Sequence, residues 1–134
     1  MNYIELQGYK IELKKIFSSE KEAYTALLTE NIEEVYSGCS EIRGKNDGIL
    51  NSVALFEVVS VRDIGKRIGD ESSNNHTYLL VLTDGVNEIQ GFEYTSWDFE
   101  VEAGNRVLLL PPIKLKRGLL LLGSENIISL TKSV

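Results

Sequence analysis

Residues 78–94, YLLVLTDGVNEIQGFEY, constrain the fold more than any other stretch of the chain. Two apolar segments, 78–82 and 86–94, flank Asp84-Gly85, and both of those residues tolerate the positive φ angles of a tight turn. The pattern predicts a hairpin and commits this half of the chain to antiparallel sheet. Asp84 also admits a second reading, a catalytic carboxylate presented on a turn, as in a small hydrolase that would lose activity on Asp84→Asn. No base, nucleophile or metal cluster accompanies it in the sequence, which favours turn chemistry.

Three more strands fit around the hairpin. Residues 53–61 read as a long first strand, 106–115 as a fourth and 119–122 as a fifth, with a further extended piece at 127–130. Residues 63–77, DIGKRIGDESSNNHT, and 95–104 read as connections. Gly91 within the third strand allows the bend or bulge that closure of a small barrel requires. Pro111-Pro112 fit the fourth strand at a bulge or an unpaired edge position. The expected class is mainly β with an N-terminal helical segment, and the expected barrel is a five-stranded OB-fold.

The first third of the chain carries the helical signal. Ser19 and Glu22 have capping-box spacing, and Tyr24, Leu27, Leu28, Ile32, Val35 and Tyr36 recur at intervals of three and four. With Gly38 as its C-terminal stop, one helix is expected over 19–37. Residues 3–17 stay open: Tyr9, Ile11 and Leu13 alternate like a strand, while Leu13, Ile16 and Phe17 suit a helix. Residues 40–48 form a polar connector. The organisation expected is 1–48 as a helical segment packed on the barrel and 49–134 as the OB-fold domain.

Composition narrows the function. A chain of 134 residues suits one domain with a core. No apolar run approaches the ~20 residues of a membrane span, and MNYIELQGYK lacks a basic start followed by an apolar stretch, so neither membrane nor secretory signal is expected. The single Cys39 makes no internal disulfide and no zinc cluster, which points to an intracellular protein. Net charge is −6, and neither half carries the basic excess that phosphate-backbone binding needs. His76 stands alone in a polar loop, and Gly65, Gly69 and Gly85 fit neither a P-loop nor a dinucleotide spacing. Asp98, Glu100 and Glu102 alternate with Phe99 and Val101, either as a wet face or as paired carboxylates. The expectation is a protein that is not an enzyme, with no metal, cofactor or small-molecule substrate.

Aromatic residues raise a binding alternative. Phe92, Tyr94, Trp97 and Phe99 are placed to stack bases of single-stranded nucleic acid, with Lys114, Lys116 and Arg117 neutralising phosphates. Against this, the aromatics would pack the barrel, and the three cations would be the solvated face and tip of a hairpin.

An ordered series of segments carries a resemblance. Leu80-Val81-Leu82-Thr83-Asp84-Gly85 is followed by Gln90-Gly91-Phe92-Glu93-Tyr94, Ala103-Gly104-Asn105-Arg106-Val107, Arg117-Gly118-Leu119-Leu120-Leu121-Leu122 and Glu125-Asn126-Ile127. Upstream lie Leu27-Leu28-Thr29-Glu30-Asn31-Ile32 and Val53-Ala54-Leu55-Phe56-Glu57-Val58. Over residues 21–130 the series resembles the N-terminal OB-fold domain of the RecQ-mediated genome instability protein 1 family. It departs at Ala103, where the family usually has Pro, and at Thr131-Lys132, where a Gly-Gly pair normally follows the last strand. No second OB domain, with its further small OB subunit, is expected.

The resemblance implies a non-catalytic accessory subunit of topoisomerase III. The barrel would dock on the enzyme, and the insertion between the first two strands would reach its DNA gate. That gate would then be tuned for decatenation and, with a RecQ helicase, for double Holliday junction dissolution. DNA would be met indirectly through the complex, in the nucleus of a eukaryotic cell. The insertion corresponds here to residues 64–76, and the partner-binding residues implied are Ile64, Gly65, Lys66, Arg67, Ile68, Gly69, Asp70 and Glu71. Lys66 and Arg67 suit charge-assisted hydrogen bonds and Ile68 a small apolar anchor; read without the resemblance, the loop is a solvated connector.

Overall fold

A computed structural model describes residues 2–42, 44–65 and 77–130. The chain opens with a hairpin, β1 (Tyr3–Leu6) and β2 (Tyr9–Glu12), turned by Gln7-Gly8, both at positive φ. This settles the open N-terminal stretch as strand up to Glu12. Helix α1 (Glu20–Thr29) begins where expected, with the Ser19 hydroxyl accepting from the Glu22 amide at 3.2 Å.

The single helix expected over 19–37 does not form. The chain leaves the helical path at Glu30 and resumes in a short α2 (Ile32–Val35), with Gly38 beyond it at φ +91. Two causes lie in the sequence. The last turn of α1 holds no basic side chain to complement the helix dipole. The Thr25 and Thr29 hydroxyls also bond back to the carbonyls four residues earlier, which weakens a helix. Residues 1–48 are therefore less helical than expected, with a hairpin before the helices and a short 3₁₀ turn after them.

The remaining strands are β3 (Gly48–Leu50), β4 (Ala54–Asp63), β5 (Tyr78–Thr83), β6 (Glu88–Glu93), β7 (Arg106–Leu109), β8 (Ile113–Lys116), β9 (Leu119–Leu122) and β10 (Ile127–Leu130). They form one sheet in the order β10-β7-β4-β5-β6-β9-β8-β3, antiparallel except for β6 with β9. Among the described residues, eight strands make this sheet where five were expected. The expected first strand is β4, with the short β3 added before it; the fourth is β7 plus β8, and the terminal extended piece joins as β10.

The two broken strands pair in one unbroken register. Gly48↔Leu115 and Leu50↔Ile113 continue as Ala54↔Leu109 and Glu57↔Arg106. The gap faces 51–53 across 110–112, and its chemistry explains it. Pro111 and Pro112, joined by a cis bond, have no N–H to donate. Opposite them, the Asn51 and Ser52 amides turn away to the Glu41 carboxylate at 2.9–3.1 Å. Asn126 covers the prolines, its Nδ2 donating to Leu110 O and Pro112 O at 2.9 and 3.0 Å. The sheet thus curls back until the β7–β4 pair and the β8–β3 pair lie along the same two runs of chain, the partly open barrel of the OB-fold.

The expected bulge lies elsewhere. The register slips at Val59, between Val58↔Leu82 and Ser60↔Val81, whereas Gly91 pairs regularly with Leu80 and Leu120. A Cβ at Gly91 would lie 3.0 Å from a Leu122 methyl and 3.1 Å from a Leu82 methyl, so its bare backbone makes room for those two core residues.

Two apolar cores result. Phe56, Leu80, Leu82, Val107, Leu109, Ile113, Leu120 and Leu122 fill the barrel. Leu55 and Leu108 point outward from the same sheet and are buried under Ile4, Ile11, Phe17, Ala23, Leu27, Ile32 and Val35 of the N-terminal segment. β7 is buried at every position, as expected of a strand covered on both faces.

Arg106 locks that second layer. Its guanidinium donates to Leu27 O and Glu30 O, both at 2.6 Å, and pairs with Glu57 at 2.8 Å. It supplies the cation that the C-terminal end of α1 lacks. Tyr36 adds a further tie, its hydroxyl oxygen accepting from the Leu55 amide at 3.4 Å, while burial pushes its pKa up to about 12. Arg106→Ala strands two helix carbonyls and the Glu57 carboxylate. It should cost about 2–4 kcal/mol, read as a lower urea midpoint at unchanged m-value.

Candidate functional site

The expected site begins where β4 and β5 run past the barrel. Asp63 closes the base of the connection: its Oδ1 accepts from the Gly65 amide at 3.0 Å and the Thr77 amide at 3.3 Å, and Ile64 N–H donates to Thr77 O at 2.8 Å. The chain thus leaves at 65 and returns at 77 through one carboxylate. Ile64 is about half exposed at 49 %, and Gly65 lies at φ +117 with open space around it. Of the expected partner-binding residues, Ile64 and Gly65 stand at this base; Lys66, Arg67, Ile68, Gly69, Asp70 and Glu71, and His76 with them, lie outside the described residues.

Beside the loop base, aromatic rings close the mouth of the barrel. Trp97 stacks on Phe99 with centroids 5.8 Å apart and packs tilted against Tyr78 at 6.0 Å. Its indole N–H donates to Leu122 O at 3.2 Å. At 3 % exposure Trp97 is a core residue, and no base can stack on it while Phe99 covers its face. Beneath it the buried Glu93 carboxylate accepts from the Tyr78 amide at 2.9 Å and the Trp97 amide at 2.7 Å. The surroundings are acidic. Burial, and after it the carboxylates of Glu100, Asp63 and Glu93, raise the Tyr78 phenol above its ordinary pKa.

The expected cations are not at this mouth. Lys114 and Lys116 project from the outer face of β8, and Arg117 sits in the β8–β9 turn, where its amide donates to Asp47 at 3.1 Å. Trp97 bonds the Leu122 end of β9, and Arg117 precedes the Leu119 end. The nucleic-acid platform of Trp97 with Lys114, Lys116 and Arg117 is thus not assembled.

Asp84 is a fully buried anchor. Its Oδ2 accepts from the Cys39 amide at 2.7 Å and from Asn87 Nδ2 at 3.0 Å; Oδ1 accepts from the Val86 and Asn87 amides at 2.9 and 2.6 Å. The carboxylate closes its own turn and captures the segment that follows α2. Gly85 completes the contact, because a Cβ there would lie 2.8 Å from the Glu33 Cα. Cys39 is buried at this junction, and burial raises its thiol pKa.

Sequence reasoning missed Asp63, Glu93, Arg106 and Asn126 as polar anchors. Glu93 alone had a local signal: it falls on the inward phase of β6 with Ile89 and Gly91, where a carboxylate must find amides. Among the described residues, no group of three or more His, Cys, Asp or Glu is arranged to hold a metal ion. Among the same residues, no helix is long and apolar enough to cross a membrane.

The family model described as "RMI1, N-terminal OB-fold domain" matches residues 11–134, which takes in the end of β2, both helices and every strand of the curled sheet. The chain belongs to this family. No curated protein matches it. The matched span joins α1, α2 and the barrel in one unit of similarity, in keeping with the Arg106 and Asp84 ties that bind them.

Asp84 also sets a pH dependence. Burial alone would raise its pKa, but the bonds from Cys39, Asn87 and Val86 outweigh burial and hold it below the ordinary 3.8. A depressed carboxylate stabilises the fold above its unfolded pKa and loses that contribution as pH falls through the folded value. Asp84→Asn should therefore cost about 1.5–3 kcal/mol near pH 7. The gap between wild type and variant in urea midpoint should narrow once pH drops below 3.8.

Proposed function

We propose that this protein is a non-catalytic accessory subunit that docks through its OB-fold on a type IA topoisomerase, topoisomerase III, and modulates that enzyme's DNA gate. Membership of the family over residues 11–134 carries this reading. In it the segment spanning 64–76 is the element offered to the gate, with Lys66 and Arg67 facing carboxylates or gate DNA and Ile68 as an apolar anchor. The Asp63 clamp supports the reading by giving that segment a fixed point of departure. A RecQ-family helicase completes the complex, which acts in decatenation and double Holliday junction dissolution, in the nucleus where the cell has one. DNA is engaged through the complex.

The test is calorimetric titration of the protein into topoisomerase III from the same organism, followed by a decatenation assay. Stoichiometric binding is expected. Lys66→Glu with Arg67→Glu should weaken binding or reduce the stimulation of decatenation while the thermal unfolding curve stays in place. Absence of any heat of binding by the unaltered protein would sink the docking; unchanged decatenation by the double variant would remove the loop from the gate.

A further inference from the structure

The barrel has a second apolar outer face, and among the described residues nothing covers it. On β5, Leu80 and Leu82 point into the core, which turns Leu79 and Val81 outward; on β6 the inward Ile89 and Gly91 turn Phe92 outward; on β9 the inward Leu120 and Leu122 do the same for Leu119 and Leu121. These five outward residues are half-buried, and none belongs to either core or packs against it. Pairing aligns them in rows across three adjacent strands, Leu79↔Phe92↔Leu121 and Val81↔Gln90↔Leu119. The opposite outer face, around Leu55 and Leu108, is apolar in the same way and is sealed by the N-terminal segment.

Cations frame the open face. Arg62 pairs with Leu79 from the β4 side, while Lys114 pairs with Leu121 and Lys116 with Leu119 from the β8 side. All three are exposed, and among the described residues none of their side chains makes a hydrogen bond or ion pair. In a chain with net charge −6, three unpaired cations bordering one apolar strip are a local reversal of sign. Glu88 faces the same side from the far end of β6, outside the two rows.

We propose that this face binds an amphipathic helix of a partner protein, with its apolar stripe seated on β5, β6 and β9 and carboxylates along both borders meeting Arg62, Lys114 and Lys116. The strip lies inside the sheet, where the backbone is already paired, so recognition runs through side chains and not through an added strand. From β4 to β8 the face spans four inter-strand spacings, about 19 Å, and a helix is about 10–12 Å wide, which leaves room for one flanking carboxylate on each side. Aliphatic side chains make up most of the strip, and they favour an apolar helix face over stacked bases, which call for aromatic platforms. This surface is separate from the 64–76 segment and does not rest on the topoisomerase reading.

The experiment uses the full chain, ¹⁵N-labelled, and three probes. One is a synthetic helical peptide of about 18 residues with Leu at i, i+3, i+4 and i+7 and Glu on both borders. The second is a shuffled peptide of the same composition, and the third is oligo-dT of about 20 nucleotides. The amphipathic peptide should shift the amides of 79, 81, 92, 119 and 121, with the shuffled peptide at least about tenfold weaker. Arg62→Glu with Lys114→Glu and Lys116→Glu should weaken binding by about tenfold or more with an unchanged melting curve. Leu121→Asp serves as an independent apolar variant with the same expected loss. The proposal is overturned by absence of binding, by equal binding of the shuffled peptide, by preference for oligo-dT, or by binding that survives charge reversal. Binding that appears only after deletion of 66–76 would likewise overturn it, by making the protein's own loop the occupant.

Discussion

The antiparallel ladder between residues 48–57 and 106–115 is the constraint on which the rest of the fold depends. It joins the first and last parts of the barrel, and it keeps one register across a gap in which neither side donates to the other. Two prolines on one side and two diverted amides on the other would leave four positions without ladder bonds. Glu41 and Asn126 answer that deficit from outside the ladder, each with the acceptor or donor that the gap lacks. Closure of the barrel therefore rests on two polar side chains, while the apolar core supplies the bulk of the driving force.

The N-terminal segment is held by the same economy of polar groups. Apolar contact against Leu55 and Leu108 gives it affinity for the sheet but little direction, because such contact is non-directional. Arg106 and Asp84 supply the direction. One takes hold of the carbonyl end of α1, the other of the amide that follows α2, and each is buried where an unpaired partner is expensive. The bend between the two helices is what lets one segment reach both anchors.

Much of the barrel is legible in the sequence, and the reason is period. Residues 78–82, 88–93 and 119–122 each alternate between core and outer face, and Asp84-Gly85 marks the turn between the first two. What escapes is whatever depends on distant partners. Nothing local to Asn51-Ser52 shows that their amides bond to Glu41, so the short strand before them, β3, goes unread. The helix over 19–37 has the right apolar spacing to its end, and it breaks because the charge complement of its first part lies on Arg106, more than seventy residues away. Trp97 shows the limit for the site: an aromatic next to acidic residues reads equally as platform or core, and only the partners Phe99, Tyr78 and Leu122 decide it. The outer face of β5, β6 and β9, uncovered among the described residues, was hidden for a simpler reason, since leucines on both phases of a strand do not say which side is sealed.

Asp63 has a consequence of another kind. By gripping the amides of both Gly65 and Thr77, it separates the geometry of the barrel from the length and content of what runs between them. The added cost of a longer loop rises only with the logarithm of its length. The position is therefore a socket, into which segments of different size and chemistry can be spliced while the scaffold around it keeps its shape.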